Sequence, residues 1–334
     1  MDGRSRLPSV QWIDRASGAL LERTPPNRRV FRDGWGDADV LDWYASIVRE
    51  PPDPSLHLVT GESRVIDGLT ETDLTFDSPA LHLPEASRLG RARMIAADPP
   101  PNRVLLLMAA WNEHGYGARS KLARLLAAEG IATVMLENPF YGDRRADPTD
   151  DRPIATVSDF AVMGRAAVVE GMALLAHFHD QGYDTGVGGF SMGGNIAAFV
   201  AALTGFPTAI ALAAASHSPA PPFLHGVMRG SLAWDALGGD NIDTEQRLRD
   251  FFASATVLDH EPPPHVAAAE LLAGTIDGFV PTSAVLALHR HWPGSHIEWT
   301  RAGHATLLWR RKDLMAKSAV TAFQRLDTWS RSEV

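Results

Sequence analysis

Residues 185–204 read Thr185-Gly-Val-Gly-Gly-Phe190-Ser191-Met192-Gly193-Gly194-Asn-Ile-Ala-Ala-Phe-Val-Ala-Ala-Leu203-Thr204. The first six residues predict a buried strand over Thr185–Phe190, and the apolar, Ala-rich run after them predicts a helix over Ser191–Thr204. Between the two lies Gly189-Phe190-Ser191-Met192-Gly193, a G-x-S-x-G pattern at a strand-to-helix junction. A hydroxyl held at such a turn sits in strained backbone, and the residues two before and two after it approach each other closely, so both have to be small. Ser191 is then exposed at a helix N-terminus, which favours a developing negative charge. The N–H of Met192 faces the same spot and can donate to an oxyanion. The bland alternative is a Gly-rich turn with no chemistry.

The chain on either side of this turn alternates. An apolar strand over Val104–Trp111 is followed by a helix over Ala118–Glu129 that Gly130 ends. A strand over Ile131–Leu136 precedes a long helix from Ser158, its expected N-cap, to Asp180. After the turn come strands over Thr208–Ala214, Val266–Ala273 and His296–Thr300. Helices are expected over Thr282–His291, with Pro281 at its first position, and over Leu307–Ser330. Val65–Leu69, Thr72–Phe76 and Arg91–Ala97 have strand-like alternation, and 31–50 carries helical spacing ahead of a Pro-rich break. This pattern implies an α/β architecture, a mostly parallel central sheet with helices on both faces. Residues 217–263 interrupt the alternation with Pro, Gly and short helical pieces, as an inserted cap or lid would. Residues 1–30 read as a poorly ordered leader ahead of one domain over 31–334.

A serine hydroxyl at neutral pH needs a base, and the base needs a carboxylate that fixes its tautomer. His304 in Arg301-Ala302-Gly303-His304 follows the last strand. Asp277 in Gly274-Thr275-Ile276-Asp277-Gly278 follows the strand before it. Both are expected at carboxyl ends of strands, where ligand sites of such sheets gather. The order Ser191, Asp277, His304 is that of the α/β-hydrolases. The loop after Val104–Trp111 offers the second oxyanion donor, the N–H of Trp111 or of Asn112, with Trp111 preferred. Asn112, His114, Tyr141 and His217 are candidate pocket residues, although His114 could equally cap the next helix. Met228, Leu232, Trp234 and Leu237 of the cap serve packing or an acyl pocket.

Composition narrows the function. The 334 residues carry a formal net charge of −9, against nucleic acid as a partner. Arg28-Arg29 and Arg144-Arg145 read as solvated loop charge. The absence of cysteine excludes thiol chemistry and Cys-ligated zinc. His177/His179 and His289/His291 stand two apart on helices and make poor metal pairs, and no cofactor fingerprint or metal motif appears. The longest apolar runs are too short to span a bilayer, and the start of the chain does not read as a secretory signal, so a cytoplasmic location and no transmembrane segment are expected.

The chain resembles the α/β-hydrolase-domain-containing protein 18 family. The resemblance rests on Phe31-Arg32-Asp33-Gly34-Trp35-Gly36, Leu136-Glu137-Asn138-Pro139-Phe140-Tyr141-Gly142, Val157-Ser158-Asp159-Phe160-Ala161-Val162-Met163-Gly164, Phe190-Ser191-Met192-Gly193-Gly194, Trp292-Pro293-Gly294-Ser295 and Gly303-His304. It departs where that family shows a Gly-rich loop after the first buried strand, here Ala110-Trp111-Asn112-Glu113-His114, and where Ala302 replaces a Gly. The resemblance implies the α/β-hydrolase fold. Together the readings anticipate a serine hydrolase acting on small-molecule or lipid carboxylic esters. The rival readings are acyl transfer or thioester cleavage by the same three residues, a binding protein without catalysis, and a lid-controlled lipase that docks through 217–263.

Overall fold

Nine strands form one sheet in the computed structural model, which describes residues 11–48, 50 and 55–332. The first ten residues of the expected leader and residues 51–54 of the Pro-rich break lie outside the described residues. The strands are β1 (Val59–Ile66), β2 (Leu69–Asp77), β3 (Leu89–Ala96), β4 (Arg103–Met108), β5 (Ile131–Leu136), β6 (Asp184–Phe190), β7 (Ala209–Ala213), β8 (Glu270–Gly274) and β9 (His296–Thr300). Their order is β1-β2-β3-β5-β4-β6-β7-β8-β9. Pairing is antiparallel from β1 through β5 and parallel from β5 through β9. β5, β7 and β8 are buried along their whole length, which is what apolar runs covered on both faces require.

Eleven α-helices lie among the described residues: α1 (Trp12–Glu22), α2 (Ala38–Ile47), α3 (Glu85–Arg88), α4 (Gly117–Ala128), α5 (Val157–Asp180), α6 (Met192–Leu203), α7 (Trp234–Leu237), α8 (Ile242–Ser254), α9 (Thr282–His291), α10 (His304–Arg310) and α11 (Lys312–Ser332). Both faces of the sheet are covered, as expected. Leu174, Leu175, Ile196, Val200 and Leu288 of α5, α6 and α9 pack on one face. Leu122, Leu126, Ala319 and Phe323 of α4 and α11 pack on the other. Each fully buried Leu contributes about 2 kcal/mol of transfer free energy. α5 is apolar and long enough to cross a bilayer, but 78% of its most apolar window is buried inside the fold, so its length serves the core. Residues 217–263 add no strand. Their Phe223, Leu232, Trp234, Leu248 and Phe252 close a cluster with Phe31, Tyr141 and Phe160 over the carboxyl ends of the strands.

Several expectations need correction. The poorly ordered leader holds, in its described part, the helix α1, and its Asp14 is fully buried. Thr156, not Ser158, caps α5: its Oγ1 accepts from Asp159 N at 3.0 Å, while Ser158 Oγ accepts from Asp37 N. Pro281 precedes α9 rather than opening it. The last helix is two helices, with a break at Arg311. Arg144 is not solvated: it is wholly buried, its guanidinium 2.6 and 2.7 Å from the two oxygens of Glu170. Two further bonds run to the carbonyls of Glu137 and Ser87, and among the described residues only its Nε is left without a partner.

Candidate active site

The strand–turn–helix at Ser191 has the geometry its glycines dictate. Ser191 has φ 58° and ψ −120°, a left-handed backbone that a non-glycine residue adopts only when its surroundings hold it there. A Cβ on Gly189 would stand 2.4 Å from the carbonyl carbon of Gly193, and a Cβ on Gly193 would stand 2.3 Å from Met108 O. The turn is therefore wedged between its own start and the end of β4, and a hydrogen bond from Ser191 N to Ala213 O (2.9 Å) ties it to β7.

Two loops bring the other residues to it. Asp277 follows β8. Its Oδ1 accepts from the N–H groups of Phe279 and Val280, both at 2.8 Å, and its Oδ2 lies 2.7 Å from His304 Nδ1. His304 opens α10 after β9, and its Nε2 lies 2.9 Å from Ser191 Oγ. A carboxylate only accepts, so Nδ1 carries the ring proton and Nε2 is left to accept from the hydroxyl. Phe279 stacks on the imidazole at 4.8 Å between centroids, and Phe190 tilts against it at 4.6 Å. The sequence reading brought these three residues together and missed the two rings, although Phe190 and Phe279 flank Ser191 and Asp277 in the chain.

The hydroxyl faces a cavity of about 250 Å³. Its walls are largely apolar: Phe160, Met163 and Val168 of α5, and Ile196, Phe199 and Leu203 of α6. Met192 and Trp111 border it beside Ser191. The Met192 N–H belongs to the first turn of α6, where a helix leaves its donors unpaired. Ala110 N donates to Glu113 Oε2 at 3.0 Å, whereas no acceptor within the chain faces the Trp111 or Met192 N–H among the described residues. Glu113 is held in turn by Arg119 at 2.8 Å, and that guanidinium also donates to the carbonyls of Leu107 and Leu136 at the ends of β4 and β5.

The four further pocket candidates stand outside the lining and are corrected. Asn112 turns away to donate to Asp151 O at 3.2 Å. His114 accepts from Gly142 N at 3.1 Å; burial, and then Arg145, lower its pKa, as suits a neutral ring used as an acceptor. Tyr141 is fully buried behind Trp111, with ring centroids 6.4 Å apart at 77°. His217 pairs with Thr256 Oγ1 at 3.1 Å, burial lowering its pKa, while its neighbours Ser216 and Ser218 reach the cavity. All four are small-polar or aromatic residues on the right loops, and the direction of a side chain on a loop is not written in its spacing. Of the cap residues, Met228 lines the cavity, and Leu232, Trp234 and Leu237 pack in the cluster above it. Among the described residues no group of three or more His, Asp or Glu could hold a metal ion.

Comparison with known proteins adds two findings. The family model for alpha/beta hydrolase domain containing 18 matches residues 28–263 and 253–325. Solved structures of similar fold include an acetyl xylan esterase from Paenibacillus sp. R4, 13% identical over 90% of this chain and 98% of that one, with a TM-score of 0.57. Acetyl xylan esterase 1 from Thermoanaerobacterium sp. JW/SL YS485 is 14% identical over 91% of this chain and 98% of that one, TM-score 0.55. An S-formylglutathione hydrolase from Agrobacterium tumefaciens is 14% identical over 80% and 99%, TM-score 0.52. At such identities the likeness is one of fold.

Proposed function

We propose, from the premise that the chain belongs to the alpha/beta hydrolase domain containing 18 family, that it is a serine hydrolase cleaving carboxylic esters through an acyl-enzyme on Ser191. The observation that carries this reading is the run of short contacts from Asp277 Oδ2 through His304 to Ser191 Oγ, 2.7 and 2.9 Å, at the wall of an apolar cavity. Ser191 Oγ attacks the ester carbonyl and passes its proton to His304 Nε2, while Asp277 stabilises the imidazolium. The Met192 and Trp111 N–H groups hold the oxyanion. Collapse breaks the bond to the alkoxide, which takes the proton back from His304 and leaves as the alcohol. Water then attacks the acyl-enzyme with His304 again accepting a proton, and the carboxylic acid departs. The apolar walls favour an alkyl or aryl acyl group, a small-molecule or lipid ester.

Labelling by a fluorophosphonate and turnover of p-nitrophenyl esters test this. The wild-type protein labels and turns over, and Ser191→Ala does neither. Labelling that survives Ser191→Ala would sink the assignment. Product analysis with added alcohol decides between water and alcohol as the acyl acceptor.

A further inference from the structure

The residues matched to the family begin at position 28, and α1 lies before them. One face of α1 nevertheless reaches the back of the site. Asp14, fully buried, accepts three main-chain N–H groups: Gly278 N at 3.0 Å and His304 N at 2.7 Å on Oδ2, and Ala305 N at 3.2 Å on Oδ1. Gly278 is the residue after Asp277. One carboxylate therefore grips the loop that carries the orienting acid and the loop that carries the base. Gln11 adds a second grip: its Oε1 accepts from Gly303 N at 2.8 Å and from Thr306 Oγ1 at 2.6 Å, and its N–H donates to Ile276 O at 3.0 Å.

Close approach at glycines is an independent sign that this contact is built in. A Cβ on Gly303, just before His304, would stand 2.4 Å from Gln11 Oε1 and 2.6 Å from Asp14 Oδ2. At the other end of α1 a Cβ on Gly230 would stand 2.6 Å from Glu22 Cγ, and one on Gly18 would touch Val227 at 3.1 Å. The helix is seated closely from the cap to the base of α10.

We propose that Asp14 is a positioning residue of the active site: through the N–H groups of Gly278 and His304 it sets the separation of Asp277 from the imidazole and the aim of that imidazole at Ser191. This rests on the reading of Ser191 as nucleophile. Asp14 touches no substrate. It acts because each loop alone is free to pivot, and a carboxylate bonded to both removes that freedom. A shift of about 1 Å in such a group costs on the order of a hundredfold in rate. Leucine at position 14 keeps the volume of the side chain and offers no acceptor, so the clamp opens, whereas asparagine still has one oxygen that can stand where Oδ2 does and keep the N–H groups of Gly278 and His304.

The experiment compares wild type, Asp14→Leu, Asp14→Asn, Gln11→Ala and Ser191→Ala as full chains on a p-nitrophenyl ester, with thermal unfolding and the low-field ¹H resonance of the His304 Nδ1 proton recorded for each. For Asp14→Leu the expected result is kcat lowered roughly 10- to 100-fold with KM within about twofold, and the resonance broadened or lost, at a temperature where the protein is folded. Asp14→Asn should stay within about threefold of wild type in kcat and keep the resonance. Gln11→Ala should lose about threefold in kcat with the same broadening as Asp14→Leu. A purely structural Asp14 would lower the melting temperature of Asp14→Leu and leave kcat and the resonance of the folded protein at wild-type values, and that result overturns the proposal. If Asp14→Leu does not fold, Gln11→Ala decides by the same two readouts. Full turnover by Ser191→Ala overturns the nucleophile and this proposal with it, whereas a dead Ser191→Ala beside a wild-type Asp14→Leu overturns the proposal alone.

Discussion

Replacement of Gly164 by Leu should close the cavity proposed to take the acyl chain while leaving the proposed chemistry intact. Gly164 lies on the cavity side of α5, in the stripe Phe160, Met163, Gly164 and Val168, and an ideal Cβ there meets nothing within 4 Å. The facing stripe on α6 is Met192, Asn195, Ile196, Phe199 and Leu203, so the lining extends about 18 Å from Ser191 at 1.5 Å per residue. A Cβ on Gly171 would meet Val200 of α6 at 2.9 Å, which sets the two helices side by side. Two turns earlier, Gly164 stands about 10 Å nearer the elbow, within the first few carbons of a bound acyl chain. A leucine there displaces at least three methylenes. At about 0.8 kcal/mol each this comes to about 2.4 kcal/mol, or about 60-fold in kcat/KM. The protein itself should gain stability, because glycine costs a helix interior about 0.8 kcal/mol relative to good helix formers. The assay is kcat/KM for p-nitrophenyl acetate against p-nitrophenyl decanoate, with melting temperature as the control. The decanoate should lose about 60-fold and the acetate less than about threefold. Equal loss on both esters, or none on the decanoate, would refute the view that acyl chains run between these stripes.

Two further predictions concern buried charge. Arg144→Met leaves the Glu170 carboxylate buried with, among the described residues, only Ser78 Oγ as partner, and should cost about 3–5 kcal/mol in urea unfolding. The double variant Arg144→Met/Glu170→Met should recover most of that loss, and a single variant within 1 kcal/mol of wild type would deny the pair its role. His265 is buried against the Trp329 ring, and burial lowers its pKa from 6.5 to about 4. The unfolded chain therefore binds a proton there between about pH 6.5 and 4 that the folded chain does not. Stability is full above pH 6.5 and falls as pH drops toward 4, by up to roughly 3 kcal/mol. His265→Phe should flatten that part of the pH–stability curve, and an unchanged slope would refute the assignment.

The sheet was legible because its central strands are apolar runs of strand length separated by helical periods. The bounds of β5, β9 and α9 follow the sequence reading residue for residue, since Gly130, Pro281 and the Trp292-Pro293-Gly294-Ser295 turn punctuate them. β4 ends at Met108 rather than Trp111, because Ala109 to Trp111 leave the ladder to face the elbow. β8 starts at Glu270, because Val266–Ala268 coil into a 3-10 turn whose Val266 and Ala268 are buried all the same. Apolarity reports burial, and it cannot tell a buried strand from a buried turn. Ser191, Asp277 and His304 were legible because the chemistry proposed for them demands fixed residue types, and the α/β-hydrolase fold carries those types in a fixed chain order. Arg144 misled because a loop arginine is usually wet. The clue lay elsewhere, in Glu170, a lone carboxylate in the middle of the apolar stretch Ala166–Leu175 that had to find a cation. Asp14 offered no clue at all, since nothing in its surroundings separates it from a solvated helix acid.

What escaped the sequence has one physical theme. The loops at the carboxyl ends of the strands pack through apolar side chains such as Tyr141, Ile154 and Phe223. Buried charges bonded to main chain tie them as well. Arg119 and Glu113 hold the loop after β4, Arg144 and Glu137 hold the loop after β5 to it, and Asp14 holds those carrying Asp277 and His304. Each such ion gives up hydration and regains little net stability, so its benefit is a single geometry rather than a deeper energy minimum. Packing gives these loops a volume to fill. A carboxylate that accepts two particular N–H groups gives them a distance to keep, and the proton transfer proposed between Ser191 and His304 depends on a distance.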